Sequence, residues 1–124
     1  MNTIKEWQEA VHANAKAHGF HEGALNVPEK LCLIHSEVSE ALESHRSGHP
    51  DFFFMDGYLN TYSAEEAKGV TEEELKPEGI AAELADVVIR VMDLCGAMDI
   101  DLEAVMRLKH EYNVSRPYKH GKRY

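Results

Sequence analysis

Apolar residues recur at the three- and four-residue spacing of a helix through most of the chain. Thr3 with Glu6 forms a capping-box signature at the start, and Asp101 is a predicted N-cap near the end. The pattern predicts four main helices, which run from Thr3 to Gly19, from Pro28 to about Arg46, from Pro77 or Glu78 to Cys95 or Gly96, and from Leu102 to about Asn113.

Residues 49–76 interrupt this pattern with an aromatic run, an Asp56-Gly57 turn signal and an acidic stretch of weak helical character. We interpret them as an insertion between the second and third helices that contains one or two short helices. The predicted fold is therefore all-α: an antiparallel bundle of about four main helices in a single domain spanning residues 1–124, with a tail over residues 114–124.

Two acidic doublets lie inside the second and third predicted helices. Glu37 and Glu40 are three residues apart, and so are Glu83 and Asp86. Residues at this spacing share a face of a helix, so each doublet directs two carboxylates the same way. Four converging carboxylates repel one another unless a cation lies among them, and a hard divalent cation is the simplest candidate.

The third helix carries a polar stripe on an otherwise apolar cylinder. Glu83, Asp86, Arg90 and Asp93 fall within roughly 80° on a helical wheel. Such a helix is expected to be buried on most sides, with its carboxylates lining an internal cleft. Each doublet taken alone also fits an ordinary solvated edge, and the combination of the two favours a shared site.

The composition of the doublets discriminates between metals. Di-iron sites in helical bundles use Glu-x-x-His motifs, and neither doublet contains histidine. Ligation by oxygen alone indicates Mg²⁺, with Mn²⁺ as the alternative. Because Mg²⁺ is commonly held by a few carboxylates together with substrate phosphates, the sequence predicts a phosphorylated substrate.

The C-terminal region supplies positive charge in a chain whose formal net charge is −9. The acidic balance argues against binding of nucleic acid polymers. Six basic residues follow position 106, against the single acid Glu111. We predict that substrate phosphates are bound by Lys109, Asn113, Arg116 and Lys119. The alternative is a solvated, frayed terminus, which we favour for Lys122 and Arg123.

The rest of the sequence indicates where in the cell the protein is expected. The N-terminus has no signal-peptide pattern, no apolar run is long enough to span a membrane, and Cys32 and Cys95 are predicted to be buried free thiols. A cytoplasmic location is expected.

The eight histidines show no ligand spacing and are predicted to be mostly surface or cap residues, with His12 a weak candidate for the pocket.

Three segments, residues 29–43, 83–90 and 109–122, together resemble the MazG-like, all-α nucleoside triphosphate pyrophosphohydrolases. The likeness covers most of residues 3–46 and 77–123. It departs from many relatives in the 42 residues that separate Glu40 from Glu83, where a short connection is usual. The insertion could form a lid or base pocket or extend a subunit interface.

The resemblance implies Mg²⁺-dependent hydrolysis of a nucleoside triphosphate to the monophosphate and pyrophosphate. It also implies a homodimer or homotetramer with sites near the subunit interfaces. The implied catalytic residues and metal ligands are Glu37, Glu40, Glu83 and Asp86. Two alternatives stay open: a phosphoribosyl-ATP pyrophosphohydrolase, and a non-catalytic helical module for dimerisation or Mg²⁺ sensing.

Overall fold

The computed structural model describes residues 1–70 and 75–123, which form five α-helices, three short β-strands and one 3₁₀ turn. In chain order the elements are α1 (Ile4–Ala17), α2 (Val27–Arg46), β1 (Phe53–Met55), β2 (Thr61–Tyr62), α3 (Ala64–Ala67), β3 (Lys76–Glu78), α4 (Ile80–Ala97), α5 (Leu102–Ser115) and the 3₁₀ turn (Tyr118–Gly121).

Polar side chains fix where three long helices begin. The Thr3 hydroxyl accepts a hydrogen bond from the Glu6 amide at the start of α1, as the capping-box signature predicts. Asp101 caps α5 by accepting from the amide of Ala104, which confirms its predicted role. Asn26 caps α2, and Pro28 lies in the first turn of that helix.

The prediction of an all-α fold is wrong, because the insertion folds into a three-stranded antiparallel sheet of order β2-β1-β3. The strands have only two or three residues each, too few to show the alternation that marks a strand in a sequence. The buried Asp56 carboxylate organises the β1–β2 turn: it accepts hydrogen bonds from the amides of Tyr58 and Asn60 and from the Tyr62 hydroxyl. Part of the predicted acidic stretch, residues 71–74, lies outside the described residues.

The third long helix begins later than predicted, because Pro77 and Glu78 belong to β3 rather than to α4. Gly79 forms the junction with a positive φ of 96°. A Cβ atom there would lie 2.5 Å from the carbonyl oxygen of Asp51. That same carbonyl accepts a hydrogen bond from the Ala81 amide, so the start of α4 is held against the segment before β1.

Contacts divide the chain into two compact units. We call Met1–Leu25 with Met92–Tyr124 the terminal unit and Asn26–Val91 the central unit. In the terminal unit α1 packs against α5, and Gln8 both donates to the carbonyl of Ile100 and accepts from the amide of Leu102. The single-domain organisation stays a prediction.

The helical pattern of α2 predicts a core stripe of Leu31, Ile34, Val38, Ala41 and Leu42. The prediction is wrong for Leu31, Val38 and Leu42, which are 48%, 50% and 54% exposed, and right for Ala41, which is buried. Glu37, which borders the stripe, is also buried. At about 100° per residue, Glu37 lies near the middle of the packed face, and Leu31, Val38 and Leu42 lie roughly a third of a turn away.

The two cysteines are free thiols, as predicted, although Cys32 is exposed and Cys95 is half-buried. Among the helices that the structure describes, none combines the length and apolar character needed to cross a bilayer.

Candidate metal centre

Three of the four predicted metal ligands converge in the central unit. Glu37 comes from the middle of α2, and Glu83 and Asp86 come from the first two turns of α4. One carboxylate oxygen of each residue lies within 4.8 Å of the others. This spacing places all three carboxylates within reach of one cation.

The two oxygens of Glu37 have different environments. Oε1 accepts a hydrogen bond from Nε of Arg90 at 2.7 Å. Oε2 is fully buried and, among the described residues, has no hydrogen-bond partner. An unpaired buried carboxylate oxygen is strongly unfavourable, so its environment is one that a bound cation would satisfy.

Burial and the crowding of negative charge both raise the pKa values of the other two acids. Burial raises the pKa of Glu83, and the neighbouring carboxylates of Glu40, Asp86 and Glu37 raise it further. Burial and the charge of Glu37 raise the pKa of Asp86, although Arg90 and Lys76 act in the opposite direction. Two cationic side chains are therefore too few to neutralise the cluster.

These observations test whether a divalent cation fits. The donors are all oxygens, one of them is buried without a partner among the described residues, and Glu83 and Asp86 have raised pKa values. A cation among the carboxylates would offset both the burial and the repulsion that raise those values. The residues fit a hard divalent ion such as Mg²⁺ or Mn²⁺.

Glu40 lies at the exposed edge of the cluster, where its carboxyl group hydrogen-bonds to that of Glu83. Sequence reasoning placed Arg90 on the same stripe of α4 but did not foresee its pairing with Glu37. It missed Lys76, which ion-pairs with Glu78 at 3.2 Å and also interacts with Glu83 and Asp86. No helical pattern could reveal Lys76, because it lies on a strand.

The predicted phosphate-binding residues belong to the terminal unit. Lys109 and Arg116 both lie over the ring of Tyr112, at 5.3 and 5.4 Å from its centroid, and Lys119 lies over Tyr118 at 5.7 Å. Asn113 is exposed in the last turn of α5. Lys109 and Arg116 thus share a contact with Tyr112, and the role of all four residues in binding phosphate stays a prediction.

A second cluster, in the terminal unit, was not predicted. Asp93 from α4 bonds His12 from α1 and His21 from the segment after α1. The prediction that the histidines are mostly surface or cap residues is therefore wrong for His21, whose side chain is only 14% exposed, while His12, the weak candidate for a pocket, is 19% exposed. The contacts join residues 81 and 72 positions apart, so no local spacing in the sequence could indicate them.

Comparison of the chain with protein-family models, with curated proteins and with solved structures gave no match. The resemblance therefore rests on the residues themselves, and the geometry of the acid cluster is an independent line of argument.

Proposed function

We propose that this protein is a Mg²⁺-dependent nucleoside triphosphate pyrophosphohydrolase, which converts a ribo- or deoxyribonucleoside triphosphate to the monophosphate and pyrophosphate. The observation that carries the proposal is the buried Oε2 of Glu37, which has no partner in the described part of the chain and lies beside two carboxyl groups with raised pKa values. Such a chain would serve in sanitation or adjustment of the nucleotide pool.

In this proposal Glu37, Glu83 and Asp86 hold the ion, and Glu40 completes the set at its exposed edge. Bound Mg²⁺ would neutralise phosphate charge and polarise the phosphoryl group under attack. Arg90 positions Glu37: by bonding Oε1 it fixes the carboxylate so that Oε2 stays available. Glu40 is exposed and would accept the proton of the attacking water.

Cationic side chains would bind the rest of the triphosphate. Lys76 interacts with the acids of the cluster through its positive charge, so it is a candidate for contact with a phosphate near the ion. Lys109, Asn113, Arg116 and Lys119 remain our proposal for the leaving pyrophosphate, whose developing charge needs stabilisation.

Exposed apolar side chains on the helices that carry the acids favour association with a second copy of the chain. In α4, Leu84 and Val88 are 50% and 49% exposed, while Glu83 and Arg90 are half-buried. With the exposed stripe of α2, this leaves apolar side chains on both helices uncovered by the described part of one chain. We propose that a homodimer, alone or within a homotetramer, covers them.

A pyrophosphate-release assay over a panel of nucleoside triphosphates, with and without Mg²⁺, tests the function. We expect monophosphate and pyrophosphate as products, and a loss of activity of about 100-fold or more in Glu37→Gln and Glu83→Gln. Glu43→Gln, which changes an exposed acid on α2, is the matched control and should retain activity.

The same assay separates the alternatives. Turnover of phosphoribosyl-ATP in preference to the ordinary nucleotides would indicate the related pyrophosphohydrolase. A non-catalytic module would release no pyrophosphate from any member of the panel. Wild-type rates in both Glu37→Gln and Glu83→Gln would contradict a catalytic role for the cluster.

A further inference from the structure

The cluster of His12, His21 and Asp93 lies outside the acid cluster and has no part in the proposed reaction. Nδ1 of His12 is 2.8 Å from Oδ1 of Asp93, and Nε2 of His21 is 2.7 Å from the same oxygen and 2.9 Å from Oδ2. The two imidazole rings meet edge to face, with centroids 4.9 Å apart. Two ring nitrogens therefore converge on one carboxylate.

The backbone around the cluster is adapted to bring the two rings to Asp93. Gly96 lies one turn after Asp93 in α4, and a Cβ atom there would be 2.6 Å from Cγ of His12. Glycine inside a helix is unfavourable by about 1 kcal/mol relative to alanine. The glycine here lowers helix propensity but leaves room for the His12 ring to approach the helix closely. Gly19, with φ of 83°, ends α1 and turns the chain toward His21.

The donor set has the chemistry of a transition-metal site. Two imidazole nitrogens and one carboxylate are the ligands of several catalytic zinc sites and of non-haem iron centres. Magnesium and calcium take oxygen ligands, so this cluster would select a different ion from the acid cluster.

The dimensions require only a small adjustment. Ligands of a tetrahedral zinc ion with bonds of about 2.0–2.1 Å lie roughly 3.3 Å apart. The nitrogen–oxygen distances here are 2.7–2.9 Å, so each of these pairs would open by about half an ångström, and all three donor atoms already lie within 4.8 Å of one another. The side chains are 14–19% exposed, which leaves an ion reachable from solvent.

We propose that His12, His21 and Asp93 form a binding site for one divalent transition-metal ion of the zinc class. The ion links α1, the segment that follows it and the end of α4. Three protein donors leave one position of a tetrahedral ion for water or an anionic ligand.

Titration of the full-length chain with Zn²⁺ by calorimetry, after chelator treatment and without an added histidine tag, tests the site. We expect one ion per chain. His12→Gln, His21→Gln and Asp93→Asn should each weaken binding by about 100-fold or more, which exceeds the 10–100-fold effect of losing a group that only orients a ligand. Gly96→Ala should weaken it by at least about 10-fold, because it displaces His12 without removing a donor.

Two matched variants separate this site from the proposed function. His35→Gln changes an exposed histidine on α2, and Glu83→Gln changes the acid cluster, so both should bind Zn²⁺ as the wild type does. Substitution with Co²⁺ adds a readout, since the visible spectrum reports nitrogen ligation and should change in His21→Gln. Zn²⁺ binding that is unaltered in His12→Gln and His21→Gln, or that is absent from the wild type, would overturn the proposal.

Discussion

At the scale of single residues, the two oxygens of the Glu37 carboxylate differ in their contacts with the described residues. Arg90 bonds Oε1, and Oε2 has no partner among the described residues. The Arg90 side chain is 40% exposed and that of Glu37 only 10%, so the ion pair is partly screened by water and mainly orients the carboxylate. In the proposed site, Oε2 would give a divalent ion a ligand that the Arg90 hydrogen bond has already oriented.

Glu83→Gln should make the metal-free protein more stable at neutral pH. Burial and neighbouring acids raise the pKa of Glu83 above its ordinary value of 4.5, so the folded state binds this proton more tightly than the unfolded chain does. Stability therefore falls as pH rises from 4.5 through the raised pKa, and glutamine removes that loss. Thermal unfolding with EDTA at about pH 5 and about pH 7.5 measures the effect.

With added Mg²⁺, the wild type should become more stable than Glu83→Gln. The wild type gains stability by binding the ion, more at the higher pH because its carboxyl groups are then ionised, whereas Glu83→Gln gains little. Glu43→Gln serves as the control and should respond to Mg²⁺ as the wild type does. A wild-type Tm that does not change when Mg²⁺ is added at either pH would contradict binding of the ion at the acid cluster.

At the scale of elements, periodicity and caps predicted the long helices, because these signals are local. The Thr3 and Asp101 caps form as expected. Which face of a helix packs inside the chain was not predictable: the most apolar stripe of α2, with Leu31, Val38 and Leu42, is exposed, and Glu37 is buried. An apolar stripe indicates that something covers it but does not indicate what.

The sheet and the histidine cluster depend on contacts that a local pattern does not encode. β3 pairs with β1 across more than twenty residues, and Asp93 meets His12 from α1. The convergence of Glu37 with Glu83 and Asp86 was predictable for a different reason. Repulsion among four acids on otherwise apolar helices is a physical conflict that can be recognised without knowing the fold.

Gly79→Ala should destabilise the protein by about 1–3 kcal/mol, because it combines a positive φ with a clash against the backbone of Asp51. The substitution disturbs the junction that places the first turns of α4, and with them Glu83. Denaturant unfolding measures the change. Gly57→Ala is the control, since a Cβ atom there meets nothing within 4 Å and φ is not positive.

An unfolding midpoint of Gly79→Ala equal to that of Gly57→Ala would show that β3 and α4 do not meet at this tight junction.

At the scale of the whole molecule, α2 and α4 bury charged side chains and leave apolar side chains exposed. In the central unit α2 and α4 turn Glu37, Glu83 and Arg90 toward each other and leave Leu84 and Val88 half exposed. Soluble monomers rarely expose contiguous apolar surface of this kind. A second copy that covers the stripes would also limit the access of water to the cation site.

The double substitution Leu84→Gln, Val88→Gln should lower the mass of the assembly, because it replaces apolar contact area with amides that must be desolvated. Sedimentation velocity at micromolar concentration measures the mass. We expect a dimer or tetramer for the wild type and a smaller species for the variant. Tyr58→Gln, at the exposed β1–β2 turn, is the control. A monomeric wild type would refute the proposed interface.

The most direct test of the central claim is anomalous X-ray scattering at the manganese edge from crystals grown with Mn²⁺. The account predicts a peak within bonding distance of Oε2 of Glu37 and of the carboxylates of Glu83 and Asp86. A structure in which Mn²⁺ binds elsewhere while these three carboxylates hold no ion would contradict it.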